Sequence, residues 1–410
     1  MLERARQLKT HCEPISVVRP IWRGLGHLRD AGNRLTGGGL RSLAKRLGQK
    51  SLRRAMSQPL LKMIGRSALW PFPSFSARLY RFATAPDIAA ANSTSLPSTP
   101  PATSRAEILL SRVPRDACII EIGPSYNPIA PKAAGWNAKT LDHTTRERLI
   151  TKYQGQPGVD VRRIEEVDFI WTGGPLSDAV PTSLHGTFDA FIASHVIEHT
   201  PDLVAFLDAA ATLLKPEGTV VLVIPDKRYC FDYFQPLTTT GQLLAAHAER
   251  RSRHTRRIAF DHVAYAIKNG GVGAWGQHSV GDLSFFHLRP IAEANNLFNS
   301  IEASKEYADL HAWHFTPSSF ELLLLELARL GETDWRIECI TPASGCEFFA
   351  WLRRGGAAAA AFLTPDQLAE RRLNLLKRAL LEIRQQIDWL LAGEAKPVSP
   401  NSNNLLRDQF

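Results

Sequence analysis

Three acids stand near the ends of short apolar runs. Glu121 closes Ala117-Cys118-Ile119-Ile120, Asp142 closes Lys139-Thr140-Leu141, and Asp168 follows Glu165-Glu166-Val167. A fourth run ends in Ser194-His195-Val196-Ile197-Glu198-His199. An acid about twenty residues beyond a glycine-bearing turn can accept both hydroxyls of a ribose, and Asp168 with Phe169 could border an adenine. Any one of these acids alone reads as a surface or capping carboxylate. At successive strand ends they point together to a nucleoside site. The imidazoles and carboxylate at 195, 198 and 199 are groups that can take a proton from a hydroxyl nucleophile.

The turn after the first run, Glu121-Ile122-Gly123-Pro124-Ser125, has one glycine where a dinucleotide fingerprint has three. A diphosphate is therefore not expected there; a smaller nucleoside-bearing ligand is. His195-x-x-Glu198-His199 also matches the H-x-x-E-H pattern of inverted zinc peptidases. That chemistry needs both histidines on one helical face, whereas Thr200-Pro201 signals that a helix starts only after His199. The peptidase reading is set aside, and no metal-ligand set is visible. Asp309, His311 and His314 could enter the same site from a later segment, and Asp226-Lys227-Arg228-Tyr229 and Arg250-Arg251-Ser252-Arg253 could attract an anionic acceptor.

The elements that must position these residues alternate between strand and helix, which argues a doubly wound α/β sheet. Strands are expected at 117–122, 138–142, within 160–170, and at 188–194, 219–224, 334–340 and 346–352. A helix is expected over 201–214, capped by Thr200 with Pro201 first, and another over 317–330, capped by Thr316 and stopped by Gly331. Residues 226–315 are too long for one loop and read as an inserted cap of helices and loops. Within them, the glycine-rich piece 270–276 is either a lid or a simple connection. From about Pro365 to Ala392, Leu373, Leu376, Leu380, Ile383, Ile387 and Leu390 follow the three-and-four spacing of a coiled-coil seam. Such a helix would join two copies of the chain or pack on its own N-terminal arm.

The 410-residue chain carries a net charge of +9, but unevenly. Up to residue 85 it has 17 Lys/Arg against 3 Asp/Glu, and the remainder has 32 against 37. The basic character belongs to an N-terminal arm of short amphipathic pieces, followed by a Pro/Ser/Thr/Ala linker at 86–104; a tail from 396 reads as disordered. The arm suits an appendage, or peripheral contact with an anionic membrane; nucleic acid is not the expected partner. No apolar run is long enough to span a bilayer, and five cysteines without a CxxC suit a reducing compartment.

From about 105 to 352 the chain resembles class I S-adenosylmethionine-dependent methyltransferases. The resemblance lies in Ile120 to Ser125, Asp142, Phe188 to Ser194, His195 to His199 and Leu213-Leu214-Lys215-Pro216-Glu217-Gly218. It implies a Rossmann-like, seven-stranded sheet ending in an antiparallel hairpin, and S-adenosylmethionine as cofactor. Carried over by position, Glu121, Gly123, Pro124 and Ser125 would wrap its methionine part and Asp142 would hold the ribose. Asp168 with Phe169 would border the adenine, and Ser194-His195 the sulfonium. His199, Glu198 and His311 would work on the acceptor. The turn departs from the family in having a single glycine, and Glu217 stands where a glycine is common. Pro225 to Tyr229 and Ala312 to Pro317 are similar to bacterial methyltransferases associated with polysaccharide glycosyltransferases. This implies a sugar or glycan acceptor, with a small phenol, amine or quinone, or a non-catalytic binding role, as alternatives. A cytoplasmic protein at the inner membrane face is the matching location.

Overall fold

Strand β1, Ile119–Ile122, is covered on both faces and lies at the middle of the sheet. The computed structural model describes residues 104–156, 158–277, 281–304 and 308–394, so the basic arm, nearly all of the linker and the tail lie outside it. Along the described chain run α1 (Arg105–Leu110), β1, β2 (Ala138–Asp142), α2 (Arg146–Tyr153), β3 (Phe169–Ile170), β4 (Phe188–Ser194), α3 (Leu203–Leu213) and β5 (Leu214–Pro225). Next come α4 (Thr240–Ala248), α5 (Arg256–Ala264), β6 (Ile267–Asn269), β7 (Leu283–Phe285) and α6 (Pro290–Ser300). The chain then returns through α7 (Pro317–Leu330), β8 (Arg336–Ile340), β9 (Glu347–Arg353), α8 (Gly356–Ala361) and α9 (Pro365–Glu394).

The seven-stranded sheet has the order β3-β2-β1-β4-β5-β9-β8. Its first five strands are parallel, and β9 pairs antiparallel with both β5 and β8. The strand order reverses between β1 and β4, the place where a doubly wound sheet opens a crevice for a ligand. Alternate side chains of a strand face opposite ways. Ile120 and Ile122 therefore join Phe191, Leu222 and Ile224 in the core under α3 and α7, while Ile119 joins Ile192, Val221 and Trp351 under α1. Three buried indoles tie the layers: Trp313 Nε1 donates to Thr200 O, Trp335 Nε1 to Leu207 O and Trp351 Nε1 to Leu109 O.

The expected strands are present, with β3 reduced to two residues and β5 extended backward to Leu214. Helix α7 has the expected ends, a Thr316 cap with Pro317 first and Gly331 at φ +80°. Helix α3 differs. It starts at Leu203, and its cap is Asp202, whose carboxylate accepts from Ala205 N at 3.0 Å. Thr200 instead turns its hydroxyl back to Ile197 O, because residues 197–199 already form a single 3₁₀ turn. The cap consists of α4, α5, α6 and the β6–β7 hairpin, and the glycine-rich piece falls in the hairpin's connection.

Helix α9 turns an unexpected face to the domain. Leu375 is buried against Leu322 and Leu325, while Leu373, Leu376, Leu380 and Ile387 remain exposed among the described residues. The reason lies in two buried cations. Lys227 and Arg228 are each only 4% exposed. Lys227 Nζ donates to Tyr233 O and Gln386 Oε1, and Arg228 forms a fork on Asp226 and reaches Gln385. Buried cations must find acceptors, and α9 supplies them. Lys227 and Arg228 are thus not on offer to an anionic acceptor, contrary to expectation. No helix among the described residues is long and apolar enough to cross a membrane. Asp202→Ala is expected to cost about 1 kcal/mol of unfolding free energy in a urea titration, as cap removals do, and Thr200→Ala clearly less.

Candidate active site

Glu121 points to the α1 side of the sheet, 1% exposed, and its carboxylate accepts from Ile129 N at 2.6 Å and Ala130 N at 3.1 Å. It thereby sets the path of the whole 123–130 loop. Burial pushes its pKa up to about 7, against the pull of those two N–H donors. After it, Gly123 adopts φ +61°, and a Cβ there would stand 3.3 Å from Val196 Cγ2. The β1 turn and the β4 turn touch at this point. Pro124 then leads into Ser125, held at φ +50°, a conformation costly for any residue with a side chain. Ser125 N donates to Asp142 Oδ2 at 3.2 Å. The other oxygen, Asp142 Oδ1, accepts from His143 N at 2.7 Å and pairs with His143 Nδ1 at 2.6 Å.

A narrow cleft of about 10 Å³ opens here, bordered by Pro124, Ser125, Thr140, Asp142, Leu149 and Val167 among others. Whole-ligand pockets run to about 300–1,000 Å³, so the cleft is far smaller than a nucleoside and marks only where the β1 turn meets the β2 strand end. Ser125 Oγ is buried in this wall without a hydrogen-bond partner. Such a group is costly unless something meets it. An orphaned hydroxyl beside a strand-end carboxylate, with a glycine at the contact between turns, fits a ribose-bearing group. Asp168 stands ahead of β3 rather than at its end. It lies level with Thr140, which donates to it, and its carboxylate is taken by Lys132 and Lys139. The correction follows from the shortness of β3, which pairs only with Leu141 and Asp142. Phe169 packs against the main core, and neither residue lines the cleft.

The end of β4 carries the second half of the site. Ser194 Oγ accepts from Arg105 Nη2 at 2.9 Å, and His195 Nε2 lies 2.7 Å from Glu347 Oε2. Glu347 also holds Arg105. Burial acts upward on the Glu347 pKa, but His195 and Arg105 outweigh it and bring it to about 2. His195 itself sits at φ +53°, a strained turn that swings its Nδ1 to within 3.6 Å of Glu198 Oε1.

Glu198 is fully buried, and neither carboxylate oxygen has a hydrogen bond. Its backbone carbonyl, however, accepts from Ala312 N at 2.8 Å and Trp313 N at 3.3 Å, which draws the segment ahead of α7 over the strand end. His199 Nε2 then lies 3.6 Å and His311 Nε2 3.9 Å from Glu198 Oε1. The far nitrogens meet carboxylates, His199 Nδ1 with Asp309 at 2.9 Å and His311 Nδ1 with Asp232 at 2.6 Å. Burial lowers the His199 pKa, yet Asp309, Glu198 and Asp232 together raise it to about 9. Burial acts upward on the Asp232 pKa, but the imidazoles of His311, His314 and His262 hold it well below the usual carboxylate range. His314 faces Asp232 from the other side and stays out of the cluster, its pKa lowered by burial to about 4.

The fold therefore brings Gly123, Pro124, Ser125 and Asp142 to one side of the β1–β4 crevice. Ser194, His195, Glu198, His199 and His311 gather on the other. Arg105, Asp232 and Glu347 were missed by sequence reasoning. The last two had a signal, an acid inside an apolar, aromatic stretch (Cys230-Phe231-Asp232-Tyr233-Phe234 and Cys346-Glu347-Phe348-Phe349).

A parallel sheet closed by an antiparallel hairpin, with acids and imidazoles gathered at its carboxyl edge, is an α/β architecture that offers a ligand site at that edge. The methyltransferase-domain family model matches residues 104–325, more than half of the chain, and the chain belongs to that family; it is a transferase. No curated protein matches it. Among solved structures, it is similar to a proposed Zn-dependent alcohol dehydrogenase from Rhodobacter sphaeroides, at 14% identity and a TM-score of 0.34, covering 61% of this chain and 88% of that one. An S-adenosylmethionine-dependent methyltransferase from Methanosarcina mazei shows 13% identity and a TM-score of 0.31, covering 60% and 96%. The CcbJ methyltransferase from Streptomyces caelestis shows 10% identity and a TM-score of 0.31, covering 61% and 93%.

Glu121 makes stability depend on pH with a definite sign. Its pKa is raised in the fold, so its contribution is complete below about pH 4.5 and lost as pH rises through about 7. Urea midpoints of wild type and Glu121→Gln, compared from pH 5 to 8, are expected to show the wild type losing on the order of 3 kcal/mol relative to the variant.

Proposed function

We propose that this chain transfers a methyl group from S-adenosylmethionine to a hydroxyl of a sugar or glycan. The observation that carries the reading is that the turns after β1 and β4 touch, Gly123 against Val196. Orphaned Ser125 Oγ and strand-end Asp142 lie on one side, and the Glu198–His199–His311 cluster lies on the other. When bound, the donor supplies a methyl group already activated by its sulfonium.

The protein's own residues then have to bind, orient and handle one proton. Asp142, held by Ser125 N and His143, presents its carboxylate to the ribose hydroxyls. Gly123 lets the donor turn lie against Val196 without a side chain between them. Ser194 and His195, locked by Arg105 and Glu347, form the wall between the donor and the imidazole cluster. His199 and Glu198 face the acceptor oxygen. Alignment of two reactants can supply about 7–11 kcal/mol of the barrier, and proton handling about 10²–10⁴ in rate. Two costly features, the Ser125 hydroxyl without a hydrogen bond and the buried Glu198 carboxylate met only by imidazoles at 3.6 to 3.9 Å, weigh against a fold that merely binds a partner.

A sugar acceptor is favoured by the resemblance of 225–229 and 312–317 to polysaccharide-associated methyltransferases. These two stretches are neighbours in the fold, with Asp226 bridged to Phe315 and Lys227 N donating to Phe315 O. Asp142→Ala is expected to weaken S-adenosylmethionine binding about 10- to 100-fold in calorimetry, as the loss of hydrogen bonds to a charged group does. His199→Ala should leave that affinity in place and lower turnover about 100-fold or more. A tritium-methyl screen should label a cell-envelope glycan fraction. Labelling of a small phenol or amine instead would refute the sugar acceptor, and equal loss of donor binding in both variants would refute the division of roles.

A further inference from the structure

We propose that Glu198, His199 and His311 form a binding site for a divalent transition-metal ion on the acceptor side of the crevice. Their donor atoms lie within 4.8 Å of one another. Ligands about 2.0–2.2 Å from a common ion stand about 3–3.6 Å apart. The 3.6 Å and 3.9 Å separations from Glu198 Oε1 need a slight contraction, and the third, within 4.8 Å, can need one of more than about 1 Å, which rotation of the two imidazoles would supply.

Orientation points the same way. Each histidine meets a carboxylate at Nδ1, His199 at Asp309 and His311 at Asp232, and turns Nε2 toward Glu198. Imidazoles that ligate metals are held in this manner, by an acceptor on the nitrogen that does not ligate. Glu198 adds an independent observation. Its carboxylate is buried completely, neither oxygen accepts a hydrogen bond, and the imidazole nitrogens of His195, His199 and His311 stand 3.6 to 3.9 Å from Oε1, a spacing nearer to that of ligands around one ion than to hydrogen bonds. The scaffold is also rigid at this point. Glu198 O accepts from Ala312 N and Trp313 N, and His311 N donates to His262 Nδ1. His195 Nδ1, 3.6 Å from the same Glu198 oxygen, borders the remaining side. Two imidazoles and one carboxylate suit Mn²⁺, Fe²⁺, Co²⁺ or Zn²⁺ better than Mg²⁺ or Ca²⁺, which prefer all-oxygen shells.

The use made of the ion rests on the methyl-transfer reading. An acceptor hydroxyl that reaches the ion as a further ligand would be made more acidic by it and would give up its proton to solvent. Its oxygen then bonds to the methyl carbon as the carbon–sulfur bond breaks, and the electron pair of that bond stays on sulfur as a neutral thioether.

The test uses the full chain, stripped by a chelator and titrated with Co²⁺ under visible spectroscopy and with Mn²⁺ by calorimetry. One equivalent is expected to bind, with d–d bands of a nitrogen- and oxygen-ligated Co²⁺. Glu198→Gln and His311→Gln should abolish the bands, and Asp232→Asn, a positioning change, should lower affinity about 10- to 100-fold. Far-UV circular dichroism confirms that each variant folds. Absence of stoichiometric binding by the folded wild type, or unchanged binding in Glu198→Gln and His311→Gln, overturns the site. S-adenosylmethionine binding to the stripped protein is measured in parallel. Its failure would count against the donor reading, while metal binding alone decides the site.

Discussion

A single backbone acceptor holds the site together. Glu198 O receives the N–H groups of Ala312 and Trp313, two residues more than a hundred positions away in the chain. Through it, the turn that leaves β4 is clamped to the segment that enters α7. The clamp is reinforced by the Trp313 indole on Thr200 O, and it is buried, where a hydrogen bond gains strength from the low dielectric around it. The whole histidine cluster hangs from this contact: His311 reaches Glu198, Asp232 reaches His311, and Asp309 reaches His199. Closing so long a loop costs entropy that grows only slowly with its length, so a few well-shielded bonds and a buried tryptophan suffice.

Charge is handled differently on the two flanks of that clamp. Toward β9, Arg105, Glu347, His195 and Ser194 form one chain of contacts in which each charge meets its opposite. Toward the cap, Asp226 takes the guanidinium of Arg228, and α9 takes the remaining donors of Lys227 and Arg228. Breaking either set would leave a buried charge without a partner, which costs far more than the pair itself contributes. The C-terminal helix is thus a structural lid for the cations behind the β5 edge. Its apolar stripe of Leu373, Leu376 and Leu380 faces outward because the polar face was needed inward.

The turn after β1 is built on backbone conformation rather than on charge. Positive φ at Gly123 and Ser125 folds the turn back over Asp142, and Glu121 secures the far end of the loop from beneath. The acid that introduces the turn therefore acts as its anchor. The acid that ends the next strand, Asp142, is the one left at the crevice.

Local chemistry settled much of this chain from the sequence alone. Runs of apolar residues bounded by turn formers located the sheet strands, and Thr316, Pro317 and Gly331 placed the ends of α7 because caps act within one helical turn. The motif Glu121 to Ser125, Asp142 and Ser194 to His199 marked the carboxyl edge, since strand ends and the residues just after them are adjacent in sequence and in space. What depended on distant partners was not legible. Nothing local distinguishes Asp202 from Thr200 as the cap of α3, tells that β3 stops at two residues, or shows which face of α9 two buried cations would claim. Nor could spacing reveal that Asp232 and Glu347, with Arg105, converge on the strand end that His311 was expected to reach. Their proximity is decided by the crossing of the cap over the sheet, and only tertiary structure can bring together groups separated by a hundred residues or more.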